Sequence, residues 1–509
     1  MSTTDGTYEA DFQVTHRRRW TSWHDFEYPV KRLINVWNGR PGESTVRGYN
    51  ATTRGFRRVI AEAEARELRV RAKGAGWSFS GVGTANGILL NARPLDYRFQ
   101  LRGHQTHPAY PGSPSALAFV QCGNSIADLH RFLESQGRAL PTSSASSGQT
   151  IAGAMSTGTH GAAIDVGAVQ DCVRSIHLVV SADRSVWLER ATEPAVADDV
   201  PAAFGADLVR DDALFDAALV CFGSFGVIHG LVIESTERFR LQAWRRLMPL
   251  DDALWGAVDR LDFSGVDLPR SGERPHHFQL LVNPYAVDRG VYVTTMYRGT
   301  EGESGHRPWG RTRPGDGALE VMGALSDIAP DLTPASTRFL IQRIYRPYEG
   351  VCGTPGEIFS DPAPRSRSAS TAMGIPLGRV REALGIVLAR IVEDGVPVAV
   401  GLRYVKASRG TLAFTRHGPQ TCVLEIDGPR SKGVLFSYRR IWRELEDAAI
   451  PFTFHWGKIN DLHLQPSRLR RMYGPRAEAW RAARRALLPT ERLRGVFANG
   501  RLRGMGLAD

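Results

Sequence analysis

Apolar residues recur along this chain at two periods, and the switches between them mark its elements. In FRRVIAEAEAREL, Phe56 to Leu68, they return at helical spacing, which predicts an amphipathic helix, and the LRVRA that follows reads as a short strand. Further on, DDALFDAALVCFGSFGVIHGLVIESTERF passes from a helix pattern through a glycine turn into a β-rich run. VPVAVGLRYVKAS (Val396 to Ser408) and TCVLEIDGP (Thr421 to Pro429) read as strands, where residues two apart share a face. From Arg468 to Arg503 a dense arginine run is punctuated by Leu469, Met472, Trp480, Leu487 and Leu488, which predicts an amphipathic helix with a solvated arginine face. These patterns divide the chain into a first domain over 1–240, a second over 241–450 and a C-terminal segment over 451–509. The charged, glycine- and proline-rich stretch from Thr300 to Gly317 reads as an exposed loop or mobile lid.

Composition narrows the class. A chain of 509 residues, 42% hydrophobic and 23% charged, suits a globular protein of two or three domains. No run approaches the roughly twenty apolar residues that cross a bilayer, and MSTTDGTYEADF has no apolar stretch behind a basic start. Five cysteines without a CxxC pair argue against structural zinc and for a reducing compartment, so a cytoplasmic location is expected. Cys122, Cys172, Cys221 and Cys422 lie among apolar residues and read as buried thiols. The net charge of +11 raises nucleic acid as a partner, but no recognition motif accompanies it. A basic surface that attracts an anionic cofactor or substrate is the simpler reading.

Two glycine-rich segments carry the candidate chemistry. QTIAGAMSTGTHG, Gln149 to Gly161, combines glycines with the short hydroxyls of Thr150, Ser156, Thr157 and Thr159, so its backbone can approach a flat polar ligand closely. RAKGAGWSFSGVG, Arg71 to Gly83, follows the short strand and offers a second backbone cradle for phosphate. It is not a dinucleotide-binding GxGxxG turn, because Trp77-Ser78-Phe79 stand where the helix would open.

Together with CGNSIADLHRFLESQGRALP (Cys122 to Pro141), WTSW (Trp20 to Trp23), GSFGVIHG (Gly223 to Gly230) and HWGK (His455 to Lys458), these loops resemble the vanillyl-alcohol oxidase, or PCMH-type FAD-linked oxidase, superfamily. Within it the chain is similar to the sugar-lactone (gulonolactone and arabinonolactone) and alditol oxidases. The resemblance implies an α+β fold: a two-subdomain FAD-binding domain, an antiparallel-sheet cap that holds the substrate, and a C-terminal return to the flavin. It implies FAD contacts from Lys73, Gly74, Ala75, Gly76, Trp77, Ser78 and Phe79, from Thr150 and Gly153, and from Thr157, Gly158, Thr159 and His160, with the backbone of Ile228 at the adenine. Many relatives have a histidine at the position of Trp77 that bonds covalently to the flavin. Indole has no nucleophilic nitrogen for that bond, so FAD is expected to be held non-covalently.

The resemblance also places the chemistry. Lys458 and His455 would stand by the flavin and stabilise its reduced anion. The family's substrate strand carries a glutamate and an arginine two apart; here Arg403 is present and the glutamate position is Gly401. Glu425 and Asp427, two apart on the next strand, are candidates for the missing acid or for the base. Cys122, in the position that lines the approach to the flavin, is larger than glycine and points to restricted oxygen access. The reading is an FAD-dependent oxidoreductase that takes hydride from a CH–OH carbon of a small or medium-sized molecule, a specialised biosynthetic intermediate more than a common sugar acid. Oxygen or another acceptor would take the electrons. Oxidative cyclisation or dehydrogenation in a tailoring pathway, and a flavin-binding protein without catalysis, are the alternatives.

Overall fold

The computed structural model describes residues 11–39, 45–299, 332–360 and 367–508. The stretch from Thr300 to Gly317, expected as a loop or lid, lies outside the described residues.

The N-terminal part builds two sheets. Strands β1 (Phe12–Thr15), β2 (Arg32–Val36), β3 (Val70–Lys73) and β4 (Ile88–Asn91) form a four-stranded sheet in the order β1-β2-β4-β3. The predicted helix is α1 (Thr45–Ala65), which buries Phe56, Val59, Ile60 and Ala63 on one face, as its periodicity requires. The second sheet has six strands: β5 (Arg98–Gln100), β6 (Leu117–Gln121), β7 (Val173–Val179), β8 (Ser185–Glu189), β9 (Asp207–Arg210) and β10 (Val227–Glu234), in the order β9-β8-β7-β10-β6-β5. Between its strands run α2 (Ile126–Ser135), α3 (Ile151–Thr157) and α4 (Asp212–Leu219). Thus the glycine-rich QTIAGAMSTGTHG is part helix: Thr150 is the N-cap of α3 and Gly158, at φ 81°, ends it in the left-handed region that suits glycine.

The rest of the chain builds an eight-stranded sheet, antiparallel at every pairing. Its members are β11 (Arg240–Met248), β12 (His277–Val282), β13 (Val291–Gly299), β14 (Tyr348–Gly353), β15 (Ser368–Pro376), β16 (Ala399–Lys406), β17 (Gln420–Pro429) and β18 (Thr453–Phe454), in the order β14-β11-β13-β12-β16-β17-β15-β18. Alternation gives this sheet two different faces. One row, Leu280, Leu402, Leu424 and Met373 in register across four strands, joins the core. The side chains one residue along point the other way and include Gln279, Arg403 and Glu425. On the polar side, α5 (Thr333–Ile344) lays Ile341 against Leu281 and Tyr292. The core carries on into α6 (Val380–Asp394) and α7 (Lys432–Asp447), through Val387, Ile391, Ile441 and Trp442.

The arginine-rich end departs from the single amphipathic helix that its spacing predicts. It forms α8 (Pro466–Tyr473) and α9 (Pro475–Leu487), followed by two short helical turns. The break falls at Gly474, at φ 50°, and Pro475 starts the next helix because its missing N–H costs nothing there. Leu469, Trp480, Leu487 and Leu488 are buried as expected, yet so are two arginines. Arg468 makes a bidentate pair with Glu446 at 2.6 and 2.8 Å, and Arg484 donates to the carbonyl of Ser224.

Arg71 ties this C-terminal segment to the first sheet. Fully buried, it donates to the carbonyls of Gly223 (2.8 Å), Phe497 (3.1 Å) and Val82 (2.7 Å). Burial, with the Arg484 guanidinium nearby, lowers its pKa to about 9. Each orphaned buried carbonyl costs about 1–3 kcal/mol. Asn499 Nδ2 still reaches the Val82 carbonyl at 2.8 Å, so Arg71→Met orphans two carbonyls. It is therefore expected to cost about 2 kcal/mol or more and to lower the calorimetric unfolding midpoint; an unchanged midpoint would contradict the assignment.

Candidate active site

Three stretches far apart in sequence meet at one place. At Gly74 a Cβ would stand 1.9 Å from Thr150 Oγ1, so the turn after β3 and the N-cap of α3 are pressed together, and only glycine fits between them. Phe79 N–H donates to the Gly457 carbonyl at 2.8 Å, and Ser80 Oγ to the Trp456 carbonyl at 2.6 Å, which fastens the same turn to HWGK. Gly457 in turn lies against Thr157: a Cβ there would be 3.3 Å from its Oγ1. The GSFG turn joins through Phe222, held at φ 56°, whose N–H donates to Ser156 O and whose ring packs 4.5 Å from that of Trp456.

The donor set at this junction suits a diphosphate. The N–H groups of Gly74, Ala75, Gly76, Trp77 and Ser78 have no acceptor among the described residues, and consecutive free amides of this kind form an anion-binding nest. Lys73 stands at its start, its Nζ donating to Asn91 Oδ1 at 2.8 Å, and burial lowers its pKa to about 8. Trp77 is half-buried and stacks on Trp23 at 5.0 Å, with the edge of its ring against Gly148. Phe79 stacks on His24 at 3.8 Å, and burial lowers that imidazole to about 3, so it is neutral. Ile228 lies just beyond Gly230, where the ladder between β10 and β6 ends, so β6 does not pair with its backbone. Cys122 is enclosed in the core near Tyr49, and burial pushes its thiol up to about 12; its side chain has almost no open surface.

The catalytic candidates converge beside the junction. Glu425 is the direct cross-strand partner of Gly401, and a Cβ on Gly401 would meet it at an ordinary 3.8 Å. Glu425 Oε2 lies 3.2 Å from Arg403 Nε, an ion contact without the alignment of a hydrogen bond, and its Oε1 is 3.6 Å from His160 Nε2. Burial opposes the charge on this carboxylate, but Arg403, His160 and Lys458 together hold it well below the usual range. His160 Nδ1 lies 2.8 Å from the Gly161 carbonyl, so both ring nitrogens are engaged. His455 accepts the Gly457 N–H at Nδ1, 2.9 Å, which leaves the proton on Nε2. Burial, followed by His160 and Lys458, pushes its pKa well down and keeps it neutral.

Asp427 shares the face of Glu425 but sits further toward solvent, with its side chain half-exposed. Partial desolvation by the surrounding protein raises its pKa, Lys458 opposes that rise, and the Glu425 charge adds to it. Lys458 Nζ donates to Ser370 Oγ at 2.7 Å and lies 3.9 Å from Asp427 and 5.2 Å from the Phe79 ring. Ser370 is the cross-strand partner of Asp427 and had no motif to announce it. The same holds for Gln279, the partner of Arg403 on the cleft face. Both become visible only once the strand register is known.

Comparison with known proteins gives the family and the fold. Residues 50–188 match the family model described as an FAD binding domain, and 268–503 match the D-arabinono-1,4-lactone oxidase model. The chain belongs to the vanillyl-alcohol oxidase superfamily of FAD-linked oxidases, in its sugar-lactone oxidase group. It is an FAD-dependent oxidoreductase of the α+β, PCMH-type fold. An L-gulono-1,4-lactone dehydrogenase of Mycobacterium tuberculosis is 25% identical over 479 residues, 91% of this chain and 97% of the relative. Two solved structures share the fold: cholesterol oxidase from B. sterolicum, with a TM-score of 0.69 at 13% identity over 97% of both chains, and the xylooligosaccharide oxidase of Myceliophthora thermophila C1 in complex with xylobiose, with 0.64 at 14% over 96% of both.

The close contact at Gly74 makes a direct prediction. Gly74→Ala forces the two turns apart, so the purified variant is expected to retain less than a tenth of the wild-type flavin, measured by the ratio of visible to ultraviolet absorbance. Full flavin content in that variant would show that the turns do not jointly hold the cofactor.

Proposed function

We propose that this enzyme oxidises a CH–OH carbon of a small or medium-sized lactone- or alcohol-type substrate, a specialised biosynthetic intermediate more than a common sugar acid. Oxygen or another acceptor takes the electrons. The observation that supports this reading is the convergence of Arg403, Glu425, His160, His455 and Lys458 where the three turns meet. FAD, when bound, supplies the two-electron acceptor for the hydride.

Each residue then has a task that its surroundings suit. Glu425 takes the place of the acid absent at Gly401, reaching the cleft from the neighbouring strand, and it fixes the Arg403 guanidinium that orients the substrate oxygen. Asp427 is the better base of the two carboxylates: a strongly depressed carboxylate holds protons poorly, whereas a raised one holds them better. Lys458, steadied by Ser370, would supply positive charge to stabilise the reduced cofactor, and His455 would offer its Nε2 proton. Trp77, stacked on Trp23, has no chemistry for a covalent link, and both nitrogens of His160 are occupied, so the flavin is held by contacts alone. Five free, buried cysteines favour a reducing, cytoplasmic setting, and no described helix is long and apolar enough to cross a membrane.

Two measurements check this reading. Acid precipitation of the yellow protein is expected to leave the colour in the supernatant; a yellow pellet would refute the non-covalent assignment. With an alcohol selected by anaerobic flavin bleaching, kcat/KM is expected to rise with pH as Asp427 loses its proton. Because the pKa of Asp427 is raised, that limb should lie above the ordinary aspartate value of about 4. Asp427→Asn should remove the limb and lower kcat/KM by about 10²- to 10⁴-fold. If the limb survives in that variant, the base is another group.

A further inference from the structure

The polar face of the eight-stranded sheet extends beyond the residues given roles above. Arg403 on β16, Gln279 on β12, Thr294 on β13 and Arg245 on β11 are successive cross-strand partners, so all four side chains project from one face. Three strand spacings separate Arg245 from Arg403, about 14 Å between backbones. Arg245 donates from Nε to Thr294 Oγ1 at 3.2 Å, and its guanidinium lies 4.8 Å from the ring centre of Tyr348 and 5.1 Å from that of Tyr345. Two rings against a planar cation hold it in place, and the residue stays partly exposed.

Among the described residues this cation has no counterion. Glu425 is engaged by Arg403 and His160, and Asp427 stands beside Lys458. Among the described residues no carboxylate pairs with Arg245. His277, on the same face and within the field of both Arg403 and Arg245, lines a small hollow together with Thr142, Phe239 and Phe359. It is buried, and its Nε2 has no hydrogen-bond partner. A guanidinium held between two rings on the face that carries Arg403, with no carboxylate partner among the described residues, is a recognition site for an anion.

We propose that Arg245 binds an anionic group, a carboxylate or a phosphate monoester, carried by the substrate at the end remote from the oxidised carbon. This rests on the oxidation site being the one proposed above, at Arg403 and Glu425, and it makes the substrate an acidic alcohol rather than a neutral one.

Two arms test it on the FAD-loaded protein. In the first, sulfate is titrated by calorimetry at fixed ionic strength. The wild type is expected to bind it, Arg245→Met to bind at least tenfold more weakly, and Arg245→Lys to keep part of the affinity. Equal affinity in wild type and Arg245→Met would overturn the proposal. Should Arg245→Met lose its flavin, Tyr345→Leu serves instead and is expected to weaken sulfate several-fold; undiminished binding overturns the proposal equally. In the second arm, anaerobic flavin reduction compares glucitol with glucitol 6-phosphate and with gluconate. At least one anionic member is expected to exceed the neutral one tenfold in kcat/KM, and that ratio should collapse in Arg245→Met. A preference for phosphate over carboxylate, or the reverse, identifies the anion. Sulfate binding that depends on Arg245, with no alcohol reducing the flavin, would leave the anion site standing and refute the oxidation reading. Reduction by neutral alcohols, with sulfate binding indifferent to Arg245, would do the opposite.

Discussion

Backbone contact between three glycine turns is the constraint on which the rest depends. Gly74 fits against Thr150 only because it has no side chain, and the carbonyls of Trp456 and Gly457 are held by Ser80 and Phe79. These contacts join segments almost four hundred residues apart in the chain. Closing such long loops costs conformational entropy, which the continuous core beneath the junction offsets. The amides of the first turn are left without acceptors among the described residues, and the charged face of the large sheet is brought alongside.

Electrostatics at the site follow from this placement. A buried carboxylate such as Glu425 stays ionised only where cations surround it, and Arg403 is fixed by the same contact. Neutral His455 and His24 add polar surface without further charge. Two acidic groups on one strand are thereby driven in opposite directions, one held ionised and the other made more basic. That separation is what general base chemistry needs beside a hydride acceptor.

Much of this was legible in the sequence, for identifiable reasons. Glycine runs and HWGK are local in sequence, and the period of two put Glu425 and Asp427 on one face without any knowledge of their neighbours. Register was not legible. That Glu425 stands opposite Gly401, or that Ser370, Gln279 and Arg245 share the cleft face, depends on loop lengths and pairings that no single strand encodes. The Gly474-Pro475 step was readable as a helix break, but the arginine and leucine spacing on either side masked it. The burial of Arg468 and Arg484 could not be foreseen, since their partners, Glu446 and the Ser224 carbonyl, come from distant segments.

The central claim is that one flavin dinucleotide is enclosed by these turns, with its ring beside Lys458. A crystal structure of the FAD-loaded protein tests it most directly. The account predicts diphosphate density against the amides of residues 74–78 and an isoalloxazine ring within contact of Lys458 and His455. Density for the ring on another surface, or a diphosphate away from that turn, would contradict it.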